Sequence, residues 1–312
     1  MLQVVFAAAV VWFFGRTIAG QWTELASLRA TTHPSWWRIA ASGVVVFASY
    51  GVLVETWRRT VVAWGERLPW ASAARIWFVS NLGKYVPGKI WQIGAMGALA
   101  QRAGVSGVAA IGSSLVVNLV NVAAGFMVVA LAGSARLAGP GLLPGIVLCL
   151  LGLLALPWLL PRLMRFASRL TGREMPRPRI PPVAIGVAIV GCTVAWALYG
   201  IAFRELAVAL FGPRAGSPAA YTAVFTLSYL VGYLTFLAPG GVGARELSLL
   251  ALLSAAGLEV GAQATLLVIV SRLWLTVLEA VPGLVLLVLR RPRLPNPGPS
   301  QNGSQTDDSR SS

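Results

Sequence analysis

Hydrophobic residues occur in long runs along this chain, and short polar segments separate them. A membrane-spanning helix needs roughly 20 predominantly apolar residues. The runs that predict full spans cover about 4–18, 39–57, 106–131, 142–160, 183–203 and 262–289. The first run is short, and Pro157 ends or kinks the 142–160 run. This pattern predicts an all-α polytopic membrane protein with about six full spans.

Two further apolar segments are interrupted before they reach the length of a span. Segment 69–101 contains NLGKYVPGKIW, which starts at Asn81 and holds the only two lysines of the chain, Lys84 and Lys89. Segment 221–256 is interrupted by APGGVGAREL. Proline and glycine break helices at such positions. The residues predicted to form the breaks are Pro87, Gly88, Pro239, Gly240, Gly241 and Gly243.

The composition supports a membrane protein and excludes several other classes. Hydrophobic residues make up 57% of the chain and charged residues 11%, against roughly 25% charged residues in soluble domains. The net charge is +15, but the arginines cluster in the loops between apolar runs, which is typical of cytoplasmic loops that face anionic lipid. We therefore expect no nucleic-acid partner. The single histidine and the two cysteines have no metal-ligand spacing, and we expect no metal and no cofactor.

The arginine clusters also predict the orientation of the chain. Clusters at 58–75, 162–179 and 290–293 are expected on the cytoplasmic side of the cell membrane. An even number of spans must then separate adjacent clusters. Segment 69–101 is therefore predicted to enter and leave by the cytoplasmic face, and segment 221–256 by the outer face. Residues 1–294 are predicted to form one transmembrane domain, and residues 295–312 a disordered cytoplasmic tail.

The two interrupted segments resemble each other. YVPGKIW aligns with LAPGGVG, with the two Pro-Gly pairs 152 residues apart. Each interrupted segment lies between two spans, and the first span of each unit crosses in the opposite direction. We therefore predict inverted repeats at about 39–132 and 183–290. Broken helices in corresponding positions of inverted repeats indicate the binding site of many transporters.

Charged residues at the two breaks predict an anion site. The four cations are Lys84, Lys89, Arg245 and Arg272, and the two acids are Glu246 and Glu279. Buried charge is costly in a membrane, so this surplus of cations predicts an anionic ligand, which helix N-termini after the breaks would also bind. The supporting polar residues are predicted to be Asn81, Tyr85 and Gln92.

Each of these groups also has a simpler interpretation. Lys84, Lys89 and Arg245 would snorkel to an interface. Arg272 and Glu279 lie on one face of the last span and would form only an interhelical pair. Asn81, Gln92, Asn118 and Asn121 would hydrogen-bond neighbouring helices rather than a ligand.

The order of the two motifs resembles the flippase-like membrane family that comprises the membrane half of lysylphosphatidylglycerol synthases and their stand-alone relatives. In that family N-x-x-K-Y-x-P-G precedes one helix and P-G-G-x-G-x-R-E precedes another. The matching residues here start at Asn81 and at Pro239. The resemblance implies a membrane protein linked to lipid translocation. Only a short tail follows residue 294, so we expect no aminoacyltransferase activity.

These observations favour a flippase-like transporter that binds an anionic lipid head group, of a phospholipid or a polyprenyl-phosphate-linked lipid, between the two hairpins. One alternative is a non-transporting membrane partner that supplies lipid to a separate glycosyltransferase or aminoacyltransferase. Another is a membrane enzyme with Glu246 or Glu279 as acid or base. Because no motif for catalysis or ATP binding is visible, we predict that the protein is not an enzyme. Its expected partners are membrane lipids, mainly anionic ones, and in the alternative a lipid-modifying enzyme.

Overall fold

The computed structural model describes residues 33–85, 90–133, 182–213, 216–235, 241 and 243–289, together with the single residues 147, 151 and 162. Within these ranges all regular structure is helical. In chain order the elements are α1 (Trp36–Ala63), α2 (Trp70–Asn81), a 3-10 turn (Leu82–Tyr85), α3 (Ile90–Arg102), α4 (Gly107–Ala132), α5 (Pro182–Phe211), α6 (Pro218–Leu234), α7 (Ala244–Ala255) and α8 (Gly261–Val288).

Four of these helices, α1, α4, α5 and α8, are long and apolar enough to cross a membrane. Helices α4 and α8 match the predicted spans at 106–131 and 262–289 to within one residue. Helices α1 and α5 cover the predicted spans at 39–57 and 183–203 and extend them at the C-terminal end by six and eight residues. The predicted spans at 4–18 and 142–160 lie outside the described residues, as does the tail at 295–312. The all-helical membrane fold is confirmed, while the number of spans stays a prediction.

The first interrupted segment forms two short helices that pack against each other. Helix α2 has 12 residues and α3 has 13, which at 1.5 Å per residue is about 18–20 Å, well short of the roughly 30 Å hydrocarbon core. A Cβ atom on Gly83 would lie 3.0 Å from the backbone nitrogen of Gln92, so this glycine lets the two arms approach closely. Pro87, Gly88 and Lys89 lie outside the described residues.

The second interrupted segment has the same plan. Helix α6 has 17 residues and α7 has 12, and the two helices pack side by side. A Cβ atom on Gly232 would lie 2.6 Å from the Cβ atom of Arg245, so the α6 backbone lies directly against the start of α7. Gly241 and Gly243 have φ angles of +69° and +90°, which favour glycine. Pro239 and Gly240 lie outside the described residues.

The second short helix of each hairpin ends in a turn of the same kind. Gly104 follows α3 with a φ of +81°, and Gly257 follows α7 with a φ of +64°. In both turns the next N–H group donates back to a carbonyl five residues earlier, from Val105 to Ala100 and from Leu258 to Leu253, each at 3.0 Å. This is the Schellman arrangement, in which a left-handed glycine ends a helix. The turn connects each short helix to the span that follows it.

The two units, α2 to α4 and α6 to α8, each consist of a hairpin and the span that follows it. They pack against each other reciprocally. Helix α2 of the first unit packs on α8 of the second, and α6 of the second packs on α4 of the first. The first contact is close, because a Cβ atom on Gly283 would lie 2.8 Å from the carbonyl oxygen of Phe78. Helices α1 and α5 also pack along their length, with hydrogen bonds from Ser42 to the Ala202 carbonyl and from Ser49 to the Ala195 carbonyl. Reciprocal packing is expected of a two-fold related pair. The opposite orientation of the units in the membrane stays a prediction.

Candidate functional site

A cavity of about 210 Å³ lies between the two units, far larger than the roughly 10–15 Å³ that one water requires. The arms of both hairpins and all four long helices contribute to its walls. The predicted site residues that line it are Asn81, Lys84, Gln92, Gly241, Arg245, Arg272 and Glu279. In the sequence these residues lie in the two interrupted segments and on the last span. The fold brings them to one cavity. The backbone of Tyr85 ends the 3-10 turn.

The cavity lies near the middle of the long helices. Arg272 is about 16 Å along α8 from Gly261, and Asn118 is about 16 Å along α4 from Gly107, at 1.5 Å per residue. Half of the hydrocarbon core is about 15 Å. Both side chains therefore belong at mid-depth of their spans.

Lys84 and Glu279 form an ion pair that joins the two units. Lys84 comes from the 3-10 turn of the first hairpin, and Glu279 comes from α8 of the second unit. Their side chains are 21% and 9% exposed, so the pair is largely removed from solvent. The ion pair holds the Lys84 side chain against α8, whereas the snorkelling interpretation expects it to extend to an interface.

Arg272 and Glu246 form a second ion pair, with the nitrogen and oxygen 3.2 Å apart. Glu246 is the third residue of α7, and its other carboxylate oxygen accepts a hydrogen bond from the Gly243 N–H at 2.6 Å. Glu246 thus caps α7 and ties it to α8, and it takes one N–H group that the sequence assigned to an anionic ligand. Arg272 and Glu279 share a helix face, as predicted, but each pairs with a different element.

Arg245 lines the cavity and lies against two aromatic rings. Its guanidinium lies 4.6 Å from the ring centre of Tyr229 and 5.3 Å from that of Phe225, within the range of cation–π attraction. The residue is only 7% exposed, and among the described residues no acidic side chain lies within 4.0 Å of it. The three described cations of the site therefore share two carboxylates.

Amide side chains form the neutral part of the site. The Gln92 amide donates to the side-chain oxygen of Asn81 and so joins α3 to α2. On α4, Asn118 donates to the Ser114 carbonyl at 2.8 Å and accepts from the Tyr233 hydroxyl of α6 at 3.2 Å. Asn81, Gln92 and Asn118 thus make the helix–helix hydrogen bonds that the simpler interpretation predicts. They also line the cavity, as Asn121 does.

Sequence reasoning missed the aromatic wall of the cavity. The aromatic residues that line it are Trp57, Trp77, Trp196, Tyr199, Tyr229 and Tyr233. Tryptophans of membrane proteins concentrate at the two interfaces, so a tryptophan in an apolar run does not by itself predict a binding site. Trp196 lies near the middle of α5, and that position was the available signal for a ring inside a site.

The comparison with known families agrees with this architecture. The family described as the lysylphosphatidylglycerol synthase transmembrane (TM) region matches residues 1–283. The chain belongs to this family. It is accordingly a multi-pass membrane protein, and the resemblance found from the two motifs is confirmed. No curated protein matches the chain. Within the described ranges no group of three or more His, Cys, Asp and Glu side chains could hold a metal ion.

Proposed function

We propose that the protein binds an anionic lipid head group in this cavity and moves the lipid between the leaflets of the cytoplasmic membrane. The observation that carries the proposal is Arg245, a buried arginine that lines a cavity of about 210 Å³ and has no carboxylate within 4.0 Å among the described residues. A buried unpaired charge is unfavourable. A phosphate in the cavity would supply the missing partner, because a guanidinium binds phosphate oxygens in pairs.

Lys84 and Arg272 would contribute further to the phosphate site. Lys84 pairs with Glu279 across the cavity, and the phosphate would compete with that carboxylate. Arg272 keeps Glu246 as a partner and adds positive charge. We also include Lys89 in the proposed site, because it follows Pro87 and Gly88 in the sequence of the first break. A head group that replaced Glu279 as the partner of Lys84 would loosen the connection between the two units.

That connection suggests how transport would proceed. The 3-10 turn with Lys84 and the helix α8 with Glu279 belong to different units. Rocking one unit against the other would open the cavity to one side of the membrane and then to the other, as in transporters built from inverted repeats. Under this proposal the C-terminus lies in the cytoplasm, because arginine clusters are typical of cytoplasmic loops. The alternative is a non-transporting membrane partner that binds the lipid and supplies it to a separate glycosyltransferase or aminoacyltransferase.

The test is a leaflet-exchange assay combined with lipid binding. Purified protein would be reconstituted into vesicles that contain a fluorescent anionic phospholipid, and co-bound lipid would be measured by native mass spectrometry. We expect Arg245→Gln to lower both the affinity for anionic lipid and the exchange rate by about 10- to 100-fold, because a hydrogen bond to a charged group contributes about 1.5–3 kcal/mol.

Arg59→Gln is the matched control. Arg59 is 60% exposed and pairs with Glu55, which Arg58 also binds at 2.8 Å, so its loss leaves no buried charge alone. Anionic-lipid binding without exchange in the unmodified protein would favour the non-transporting partner. Unchanged binding and exchange in Arg245→Gln, and also in Lys84→Ala with Lys89→Ala, would refute the proposed site.

A further inference from the structure

We infer that the cavity selects a head group that carries neutral hydroxyls beside its phosphate, such as a glycerol or a sugar, over one that carries an ammonium group. The inference rests on the proposed function. It assigns the hydroxyls to the polar stripe of α4, which consists of Ser114, Asn118 and Asn121.

The polar stripe faces the cavity as one surface. Its residues are spaced i, i+4 and i+7, which places them on the same side of a helix, and all three line the cavity. Indole rings adjoin both ends. Trp57 donates to the Ser114 hydroxyl at 3.1 Å, and Trp196 donates to the backbone carbonyl of Asn121 at 2.9 Å. The flat apolar faces of these rings suit the C–H groups of a polyol.

Hydrogen-bonding capacity remains on this stripe. The Asn118 amide uses its oxygen for Tyr233 and its nitrogen for Ser114. Asn121 lines the cavity, and in the described part of the chain its side-chain amide makes no hydrogen bond. Asn121 is half-buried, so its amide is open to a ligand in the cavity. An amide has both donors and an acceptor, and a hydroxyl is also both donor and acceptor, so the two groups match.

An ammonium group would find a less suitable environment. The cavity is lined by three described cations, Lys84, Arg245 and Arg272, and by the carboxylate of Glu279. That carboxylate already pairs with Lys84. The Tyr229 ring, one aromatic face that would attract an ammonium group, already binds Arg245. An aminoacylated lipid would add positive charge to this set.

The experiment compares lipids that share a phosphate and differ in the rest of the head group. Dissociation constants would be measured by native mass spectrometry for phosphatidic acid, phosphatidylglycerol, phosphatidylinositol and lysyl-phosphatidylglycerol. We expect the two hydroxyl-bearing anionic lipids to bind about tenfold more tightly than phosphatidic acid, which is the effect of one or two hydrogen bonds. Lysyl-phosphatidylglycerol should bind more weakly than phosphatidylglycerol. Tighter binding of phosphatidylinositol indicates a ring polyol, and tighter binding of phosphatidylglycerol indicates a glycerol.

Asn121→Leu tests the assignment to the stripe. It should bring the affinities for the hydroxyl-bearing lipids down to that of phosphatidic acid and leave phosphatidic acid unchanged, whereas Arg245→Gln should weaken all anionic lipids. If the leucine variant does not fold, Asn121→Ser takes its place in the test. The serine variant offers a hydroxyl in place of the amide and should retain part of the preference. Ser113→Ala is the control, because Ser113 is a buried polar residue of α4 outside the cavity lining.

The outcomes separate this inference from the proposed function. If the protein binds phosphatidic acid as tightly as phosphatidylglycerol, or if Asn121→Leu keeps the preference, the hydroxyl subsite is wrong while the phosphate site stands. If Asn121→Leu folds but also loses affinity for phosphatidic acid, the assignment of a separate hydroxyl subsite is wrong too. If lysyl-phosphatidylglycerol binds more tightly than phosphatidylglycerol, the exclusion of ammonium groups fails.

Discussion

The two hairpin units share a backbone plan but use different polar chemistry. The first unit is α2 to α4, and its internal polar contacts are neutral, with the Asn81–Gln92 amide pair and the hydrogen bond from Asn118 to the Ser114 carbonyl. The second unit is α6 to α8, and its internal contacts include two carboxylates, Glu246 paired with Arg272 and Glu259 accepting from the Tyr221 hydroxyl. Lys84 is a charged residue of the first unit, and it pairs with Glu279 of the second.

The spans that follow the hairpins show the difference most directly. Polar residues on α4 at i, i+4 and i+7 are Ser114, Asn118 and Asn121, while those on α8 are Arg272, Thr276 and Glu279. Both sets line the same cavity near mid-depth. The spans that follow the two hairpins therefore present a neutral wall and a charged wall. In the proposed function the charged wall binds the phosphate, and the neutral wall distinguishes what is attached to it.

Removal of Glu246 should produce the largest effect on stability. Glu246→Ala leaves Arg272 without its carboxylate and the Gly243 N–H group without its acceptor. Breaking one side of a buried ion pair costs about 3–5 kcal/mol. We expect a loss of this size in the free energy of unfolding, measured by denaturation in detergent micelles.

The double variant Glu246→Leu with Arg272→Met serves as the control. Apolar residues of similar size often replace a buried ion pair without loss of stability, so this variant should unfold close to the unmodified protein. It should nevertheless bind anionic lipid more weakly, because Arg272 lines the cavity. Equal instability of the single and double variants would show that the charge of Arg272 is not the cause.

The ion pair between the units should give an intermediate effect. Lys84→Met and Glu279→Leu each leave one charge in the cavity without this partner, and the combined variant leaves neither. We expect a coupling free energy of about 0.5–3 kcal/mol in a double-mutant cycle of unfolding. Additive effects would mean that Lys84 and Glu279 do not hold the two units together. Arg59 with Glu55, an exposed pair within one helix, is the comparison cycle and should couple by about 0.3–0.5 kcal/mol.

The amide pair of the first hairpin should give the smallest effect. Gln92→Leu removes the hydrogen bond to Asn81 that joins α3 to α2. Hydrogen bonds between membrane helices contribute about 0.6 kcal/mol on average and up to about 1.7 kcal/mol. We expect a loss within that range in the same unfolding measurement. A loss as large as that of Glu246→Ala would contradict the distinction between a neutral and a charged unit.

Much of the fold could be predicted from the sequence, because the signals are local. Apolar runs gave the positions of α1, α4, α5 and α8 to within a few residues at most ends. The Pro- and Gly-rich breaks gave the two pairs of short helices. The cationic candidates Lys84, Arg245 and Arg272 do line one cavity. Their roles in lipid binding stay predictions.

The partners of the charged residues could not be predicted. Arg272 and Glu279 were expected to pair with other helices, but the sequence did not show that Arg272 would bind Glu246 or that Glu279 would bind Lys84 across a separation of 195 residues. The sequence also did not show that Glu246 would cap α7, or that Arg245 would lie against Tyr229 and Phe225. Each of these contacts depends on how α2 packs on α8 and α6 packs on α7.

The sequence by itself determined where helices form, which of them are long enough to span, and where two of the apolar segments break. Hydropathy, proline and glycine act within a few residues, so those features need no knowledge of the rest of the chain. Only the tertiary structure decided that Arg245 faces Tyr229 and that Asn121 shares a cavity with Arg272. Helix packing sets which distant side chains meet, and a one-dimensional pattern contains no information about that choice.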